Sequence, residues 1–291
     1  MNCILEIPEA LLKERFRLFL EEDIGLGDIT SNLIIPSNIS VHAQIIVKEA
    51  AVIAGLHELK AIFSMVGAKS LCLVNEGDEV SPNTVIAEIE GNGRAILEVE
   101  RTALNIFSRM SGIATATRKL LKKIKKAGLD VRIAATRKTV PGLRYFDKRA
   151  IIIGGGDPHR FRLDDQILIK DNHIAIVGSI KEALKRARSL ASFSKKIEIE
   201  VRTVDQAIEA ASLGADIIML DNMTVNEVRK VIERLESLNL RDKVIIEVSG
   251  GITEENIMEY AQLKPDVISI GALTHSAKSI DASLEVIEVE N

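Results

Sequence analysis

Basic side chains crowd into the stretch between Ala135 and His173: Arg137, Lys138, Arg144, Lys148, Arg149, His159, Arg160, Arg162 and Lys170. The chain as a whole is nevertheless acidic, at formal net charge −4. A cationic pocket in an anionic protein suits a small, multiply charged anion better than a long polyanion. Arg137 and Lys138 directly follow the apolar run Val131–Ala135, and Lys170 directly follows Ile167-Leu168-Ile169. Basic groups at the carboxyl ends of buried strands stand where α/β barrels keep their chemistry. Arg144, Lys148, Arg149 and Arg162 stay open between that pocket and surface ion pairing.

Other strand ends add to the set. In chain order they carry Thr136-Arg137-Lys138, Lys170-Asp171-Asn172, Glu200, Asp221-Asn222, Ser249-Gly250-Gly251 and Ile270-Gly271-Ala272. Arginine's planar fork binds carboxylate or phosphate bidentately, so the cations could hold a dicarboxylate beside a polyphosphate. Glu200 and Asp221 suit a Mg²⁺ ion or ribose hydroxyls, or simply neutralise the arginines. Gly250 and Gly251 would let backbone N–H groups approach a phosphate, with Thr253 as N-cap of the next helix. The alternative is a plain strand-to-helix turn. Gly154-Gly155-Gly156-Asp157-Pro158 lacks the Lys-Ser/Thr of a P-loop and reads as a flexible approach that delivers His159 and Arg160.

These groups need a scaffold. From about Ala114 the pattern alternates strand and helix. Strands are expected at Val131–Ala135, Ile167–Ile169, Ile197–Val201, Asp216–Leu220, Val244–Val248 and Val267–Ile270. Helices are expected at Val204–Leu213, Val225–Leu235 and Glu254–Leu263. Such units predict a parallel sheet covered by helices, here an incomplete, TIM-like α/β barrel over 114–276. Residues 1–113 mix helix (Pro8–Glu22, Ala54–Val66) with strand (Val41–Lys48) and predict an α/β sandwich. Segment 277–291 would return to that domain as a strand. Glu76–Gly91 resembles the hairpin of lipoyl and biotinyl carriers, but its tip, Gly91-Asn92-Gly93-Arg94, has no lysine to modify. The run Lys119–Lys126 has helical spacing with Leu120, Leu121 and Ile124 inward, a solvated face more than a nucleic-acid surface.

Composition excludes other classes. Trp is absent and aromatics are 3%, too few for base-stacking surfaces. No apolar run nears the ~20 residues that span a bilayer. Cys3 and Cys72 are too few for a disulfide framework, and His42, His57 and His275 lack metal-ligand spacing. With no signal-peptide pattern, a cytoplasmic protein is expected.

The ordered motifs resemble quinolinate phosphoribosyltransferases nearly end to end. They include Glu22–Thr30, Glu100–Asn105, Ser111–Thr115, Thr136–Thr139, His159-Arg160, Leu168–His173, Leu220–Asn222, Ser249–Gly251 and Gly271–Ser276. The resemblance implies conversion of quinolinate and phosphoribosyl pyrophosphate to nicotinate mononucleotide, pyrophosphate and CO2, with Mg²⁺. By the same resemblance, Arg101, Thr136, Arg137, His159, Arg160 and Lys170 would hold quinolinate, and Lys138 would face pyrophosphate. Glu200 and Asp221 would serve ribose and metal; Ser249, Gly250, Gly251, Ile270, Gly271 and Ala272 would surround the 5′-phosphate. Lys138, Lys170, Glu200 and Asp221 would carry the catalysis. Arg101, and Lys48 where the family often has arginine, would reach the site of a partner subunit, implying a homodimer or hexamer. Val248 stands where small polar residues are common. A paralogous transferase of the same fold and a non-catalytic phosphoribosyl-binding protein are the rival readings.

Overall fold

A computed structural model describes residues 6–290. Cys3 lies outside the described residues. The fold is mixed α/β and forms two compact units. One comprises the described residues up to Arg118, Tyr145–Gly155 and the chain from Ala277; the other comprises Lys119–Arg144 and Gly156–Ser276.

The first unit is built on a four-stranded antiparallel sheet. Strand β1 (Ser40–Val47) pairs with β5 (Thr84–Asn92) and with the C-terminal strand Ala282–Glu290; β5 also pairs with β3 (Lys69–Cys72). In β1, Val41, Ala43, Ile45 and Val47 are buried while the residues between them are half-exposed, the period-two pattern of a one-faced strand. Strands β2 (Ala51–Val52) and β4 (Glu79–Val80) form a separate short pair. The carrier-like hairpin is absent, because β5 runs straight into the 34-residue helix Gly93–Lys126 at the supposed tip. Helix Glu9–Ile24 buries Leu12, Phe16 and Leu20 and leaves Leu11 half exposed.

Helix Arg144–Gly154 explains why most of its basic residues leave the pocket. Phe146 packs on Phe16 and Phe19, Asp147 takes a two-point salt bridge from Arg109, and Arg149 meets Glu58 at 2.9 Å and Glu76 at 3.0 Å. Lys148 and Arg149 are fully buried in the first unit. Burial of a charge is tolerated only when it is paired, so these are structural ions. Burial pushes the Glu58 and Asp147 carboxyls up, and the Arg149 and Arg109 guanidiniums respectively counter it.

The second unit contains a six-stranded, all-parallel sheet. Its strands are β6 (Arg132–Ala134), β7 (Ile167–Ile169), β8 (Ile197–Val201), β9 (Ile217–Asp221), β10 (Ile245–Ser249) and β11 (Val267–Ser269), in spatial order β6-β11-β10-β9-β8-β7. The order is open at β6 and β7, as an unclosed barrel requires. Strands β9 and β10 start one residue later than the sequence pattern suggests. Asp216 and Asp266, which directly precede β9 and β11, are spent as acceptors. Their carboxylates take the backbone N–H of Ile197 and Ile246. Side-chain caps begin the helices: Thr203 starts Val204–Ser212, and Thr224 with Glu227 forms a capping box at Val225–Ser237. Leu120, Leu121 and Ile124 are buried, and Lys119 and Lys123 both reach Glu254. No described helix is long and apolar enough to cross a membrane.

In the first unit, Ser111 Oγ ties to both backbone groups of Ala54, and Gly112 lies directly against the backbone of Lys278. A Cβ at Gly112 would also meet Ser279 Cα at 3.3 Å. Gly112→Ala is therefore expected to cost about 1–3 kcal/mol, since backbone cannot yield as a side chain can. Chemical denaturation checks this; an unchanged midpoint would contradict the close approach.

Candidate functional site

The carboxyl ends of the six parallel strands surround a cavity of about 340 Å³. Strand register explains its walls. One row across the sheet aligns Glu200, Met219 and Glu247; the next aligns Asp221, Ser249 and Ser269. All six line the cavity. The segment after β6 adds Thr136, Arg137 and Lys138, β7 leads into Lys170, and His159 and Arg160 complete the wall.

The cavity thus unites Thr136, Arg137, Lys138, His159, Arg160, Lys170, Glu200, Asp221 and Ser249. Ile270, Gly250, Gly251, Gly271 and Ala272 follow the same strand ends but do not line it. Arg144 bonds Thr139 and the Phe161 carbonyl, and exposed Arg162 pairs with Asp164. With Lys148 and Arg149 in the first unit, none of the four open basic residues lines the cavity. Lys48 pairs with Glu285 at 2.6 Å, and Arg101 is 64% exposed on the long helix; both belong to the first unit.

The glycine-rich segment before His159 is not a loose tether. A Cβ on Gly154 would meet Ala114 O and Thr117 Cβ at 2.8 Å. Asp157 then bonds along β6, donating to Ile133 O and accepting from Ala135 N. Asp157 Oδ1 accepts from His159 N at 2.7 Å, and His159 itself has φ +53°, a conformation seldom taken by residues other than glycine. The delivery of His159 and Arg160 is rigid.

Thr253 opens the turn that leads into the next helix, its carbonyl accepting from Ile257 N. It exchanges hydrogen bonds with Asn256, and the short helix Ile257–Ala261 begins only after that turn. Gly250 has φ +90°, and a Cβ there would collide with the Asn222 side chain and approach Asn222 N to 2.9 Å. The glycine is required by the β9–β10 strand ends themselves, whose backbones are joined by Asn222 N donating to Ser249 O.

Acids and bases interlock at the rim. Lys170 Nζ donates to Glu200 at 2.7 Å. Arg202, which the sequence reading passed over, lies 2.9 Å from Asp171, 3.5 Å from Asp221 and 4.0 Å from Glu200. Its position two residues beyond Glu200, just past β8, was the available signal. The oxygen-only pair Glu200 and Asp221 suits a hard dication such as Mg²⁺, with the remaining oxygens coming from substrate and water.

Deeper in the cavity, His159 Nε2 is 3.2 Å from Glu247 and 3.6 Å from Glu198, and both carboxylates are buried. These three form the one His/Cys/Asp/Glu triplet with metal-compatible spacing among the described residues. Burial alone lowers the ring's pKa, but Glu198 and Glu247 outweigh it and pull it up, to about 10. The hydrogen bonds oppose a second ring proton, because Nδ1 already accepts the Arg160 N–H at 2.8 Å. An N–H facing an N–H at that distance repels, so geometry decides: one proton, on Nε2. Burial raises the Glu198 carboxyl, and the hydrogen bond with His159 counters it. Both imidazole nitrogens are therefore engaged inside the protein. Burial, then the neighbouring Arg137, depresses Arg160.

Known proteins agree with this architecture. The family model described as quinolinate phosphoribosyl transferase, N-terminal domain, matches residues 28–111, and its C-terminal-domain counterpart matches 113–285. The chain is 50% identical over 273 residues to a probable carboxylating nicotinate-nucleotide pyrophosphorylase of Methanocaldococcus jannaschii, covering 93% of this chain and 95% of that one. It is 33% identical to the rat carboxylating nicotinate-nucleotide pyrophosphorylase, over 96% and 92% of the two chains. The structure of the nicotinate-nucleotide pyrophosphorylase from Francisella tularensis superposes with a TM-score of 0.90 at 36% identity, covering 99% of this chain and all of that one.

Arg202 competes with any cation for Asp221 and Glu200. Arg202→Met should tighten Mn²⁺ binding to the substrate-free protein several-fold in paramagnetic resonance titrations. Unchanged or weaker binding would mean that these carboxylates do not share a cation site.

Proposed function

The chain belongs to the quinolinate phosphoribosyltransferase family, and from that premise we propose that it makes nicotinate mononucleotide for NAD synthesis from quinolinate and phosphoribosyl pyrophosphate, with release of pyrophosphate and CO2. The observation that carries this reading is the single cavity in which Arg137, Lys138, Arg160 and Lys170 face Glu200 and Asp221. A dicarboxylate and a pyrophosphate side by side demand such an excess of cations. Ribose carrying developing positive charge demands the carboxylates.

Arg137, Arg160 and Lys170 would hold the two carboxylates of quinolinate, with Thr136 at the edge. Lys138 would face the pyrophosphate. Ser249, Gly250, Gly251, Ile270, Gly271 and Ala272, at neighbouring strand ends, would receive the 5′-phosphate. The ring nitrogen forms a bond to the anomeric carbon as the bond to pyrophosphate breaks. Glu200 and Asp221 stabilise the oxocarbenium character of that transition state; lysines stabilise the leaving anion. Each well-placed group of this kind contributes on the order of 3 kcal/mol. The product pyridinium is cationic, so the carboxylate beside its nitrogen can leave as CO2, its electrons entering the ring at the carbon that then takes a proton from water. That step needs no protein acid. Mg²⁺, held by Glu200, Asp221 and the pyrophosphate itself, would neutralise charge on the leaving group.

Arg101 is exposed and lines no part of the cavity in its own chain. It fits the role of supplementing the pocket of a second copy, in a homodimer or hexamer; Lys48, tied to Glu285, fits it less well. The cytoplasm is the proposed compartment, with Cys72 as a free thiol.

Arg137→Ala should abolish quinolinate binding in calorimetry while leaving the melting temperature and phosphoribosyl pyrophosphate affinity unchanged. Retained quinolinate affinity would remove Arg137 from the carboxylate site. Chelation by EDTA should stop turnover and leave quinolinate binding intact; turnover without divalent metal would overturn the Mg²⁺ assignment.

A further inference from the structure

Two buried carboxylates under the cavity have no part in the chemistry just described. Glu198 is fully buried and Glu247 is 2% exposed. Both point inward from the parallel strands β8 and β10, and one oxygen of each, Oε1, lacks a hydrogen-bond partner among the described residues. Buried, incompletely bonded carboxylates are costly, so a fold keeps them for something other than packing.

What they touch is His159. Nε2 of the ring faces Glu247 Oε2 at 3.2 Å and Glu198 Oε2 at 3.6 Å. Nδ1 accepts from the backbone of Arg160, and the backbone of His159 donates to Asp157. The imidazole is thus a strut between the acid pair and the peptide that carries the Arg160 side chain. The positive φ at His159 keeps that peptide turned. We propose that Glu198 and Glu247 are positioning residues for the substrate's carboxylate: they hold His159 as its Nε2–H tautomer, and the ring in turn fixes Arg160 for bidentate contact. The identity of that carboxylate as quinolinate rests on the proposed function; the strut itself does not.

A metal ion is the competing occupant of this triplet. Against it, Gln166 Nε2 already donates to Glu198 at 2.6 Å, and the Nε2 proton points at the same oxygens a metal would need. Arg160 interacts electrostatically with Glu198, and its positive charge opposes a dication there.

Glu247→Leu removes the acceptor, whereas Glu247→Gln keeps an oxygen able to accept from Nε2–H. The Leu variant should raise both KM and Kd for quinolinate about tenfold or more, the loss of one charge-assisted hydrogen bond, with phosphoribosyl pyrophosphate affinity unchanged. The Gln variant should restore quinolinate binding to within about threefold of the parent, an uncharged acceptor replacing a charged one. Nitrogen-15 NMR of the histidine-labelled protein, assigned with His159→Asn, should show His159 with bare Nδ1 and protonated Nε2, unmoved by diamagnetic Zn²⁺. This arm needs neither substrate nor the Leu variant. Equal losses for both substrates, parent-like quinolinate binding in the Leu variant, a protonated Nδ1, or a metal-induced shift at His159 would each overturn the proposal. If the parent protein binds no quinolinate, the proposed function falls, and the NMR arm still decides the strut.

Discussion

Mutual repulsion among Arg137, Lys138, Arg160 and Lys170 is the constraint around which this fold is arranged. All four face one cavity, and like charges gathered in a partly desolvated space drive each other apart. They stay because each is anchored to a rigid element and because carboxylates stand among them. Lys170 leans on Glu200, Arg202 bridges Asp171 and Asp221, and Glu198 and Glu247 lie beneath His159. Among the cavity-lining side chains these four cations stand against three carboxylates, Glu200, Asp221 and Glu247, and the anionic substrates proposed above would add to that pairing. Binding would then be strongest for ligands carrying several negative charges in fixed places.

A parallel sheet delivers this balance cheaply. Side chains two apart on a strand share a face, so one five-residue strand, Ile197–Val201, supplies both Glu198 and Glu200 to the interior. The rows across the sheet then set depth. Asp221, Ser249 and Ser269 share one row, and Glu200 with Glu247 share the adjacent one. The first unit solves a separate electrostatic problem, sealing Lys148, Arg149 and Asp147 inside, with Arg149 paired to Glu58 and Asp147 to Arg109.

Where the sequence was legible, periodicity and strand ends made it so. The six core strands of the second unit were visible because nearly uninterrupted apolar runs leave few alternatives, and Arg137, Lys138, Lys170, Glu200 and Asp221 stood directly beyond them. The start of β9 slipped by one residue at Asp216, whose carboxylate bonds a backbone N–H of the neighbouring strand, a use of aspartate that composition cannot reveal. Arg149 was illegible for another reason: a helix inside the basic stretch turns its cations toward Glu58 and Glu76, far away in sequence. Glu198 and Glu247 carried a signal that went unused, acidic residues at interior positions of otherwise apolar strands. Gly154 reads as freedom in sequence and acts as close packing in space.

The central claim is that the four cations are matched to a dicarboxylate and a pyrophosphate held together. The most direct measurement is product analysis by mass spectrometry after incubation with phosphoribosyl pyrophosphate, Mg²⁺ and either quinolinate or nicotinate. The account predicts nicotinate mononucleotide and CO2 from quinolinate, and none from nicotinate, which lacks the second carboxylate. Product from nicotinate, or from neither acid, would contradict it and leave the pocket to another transferred base.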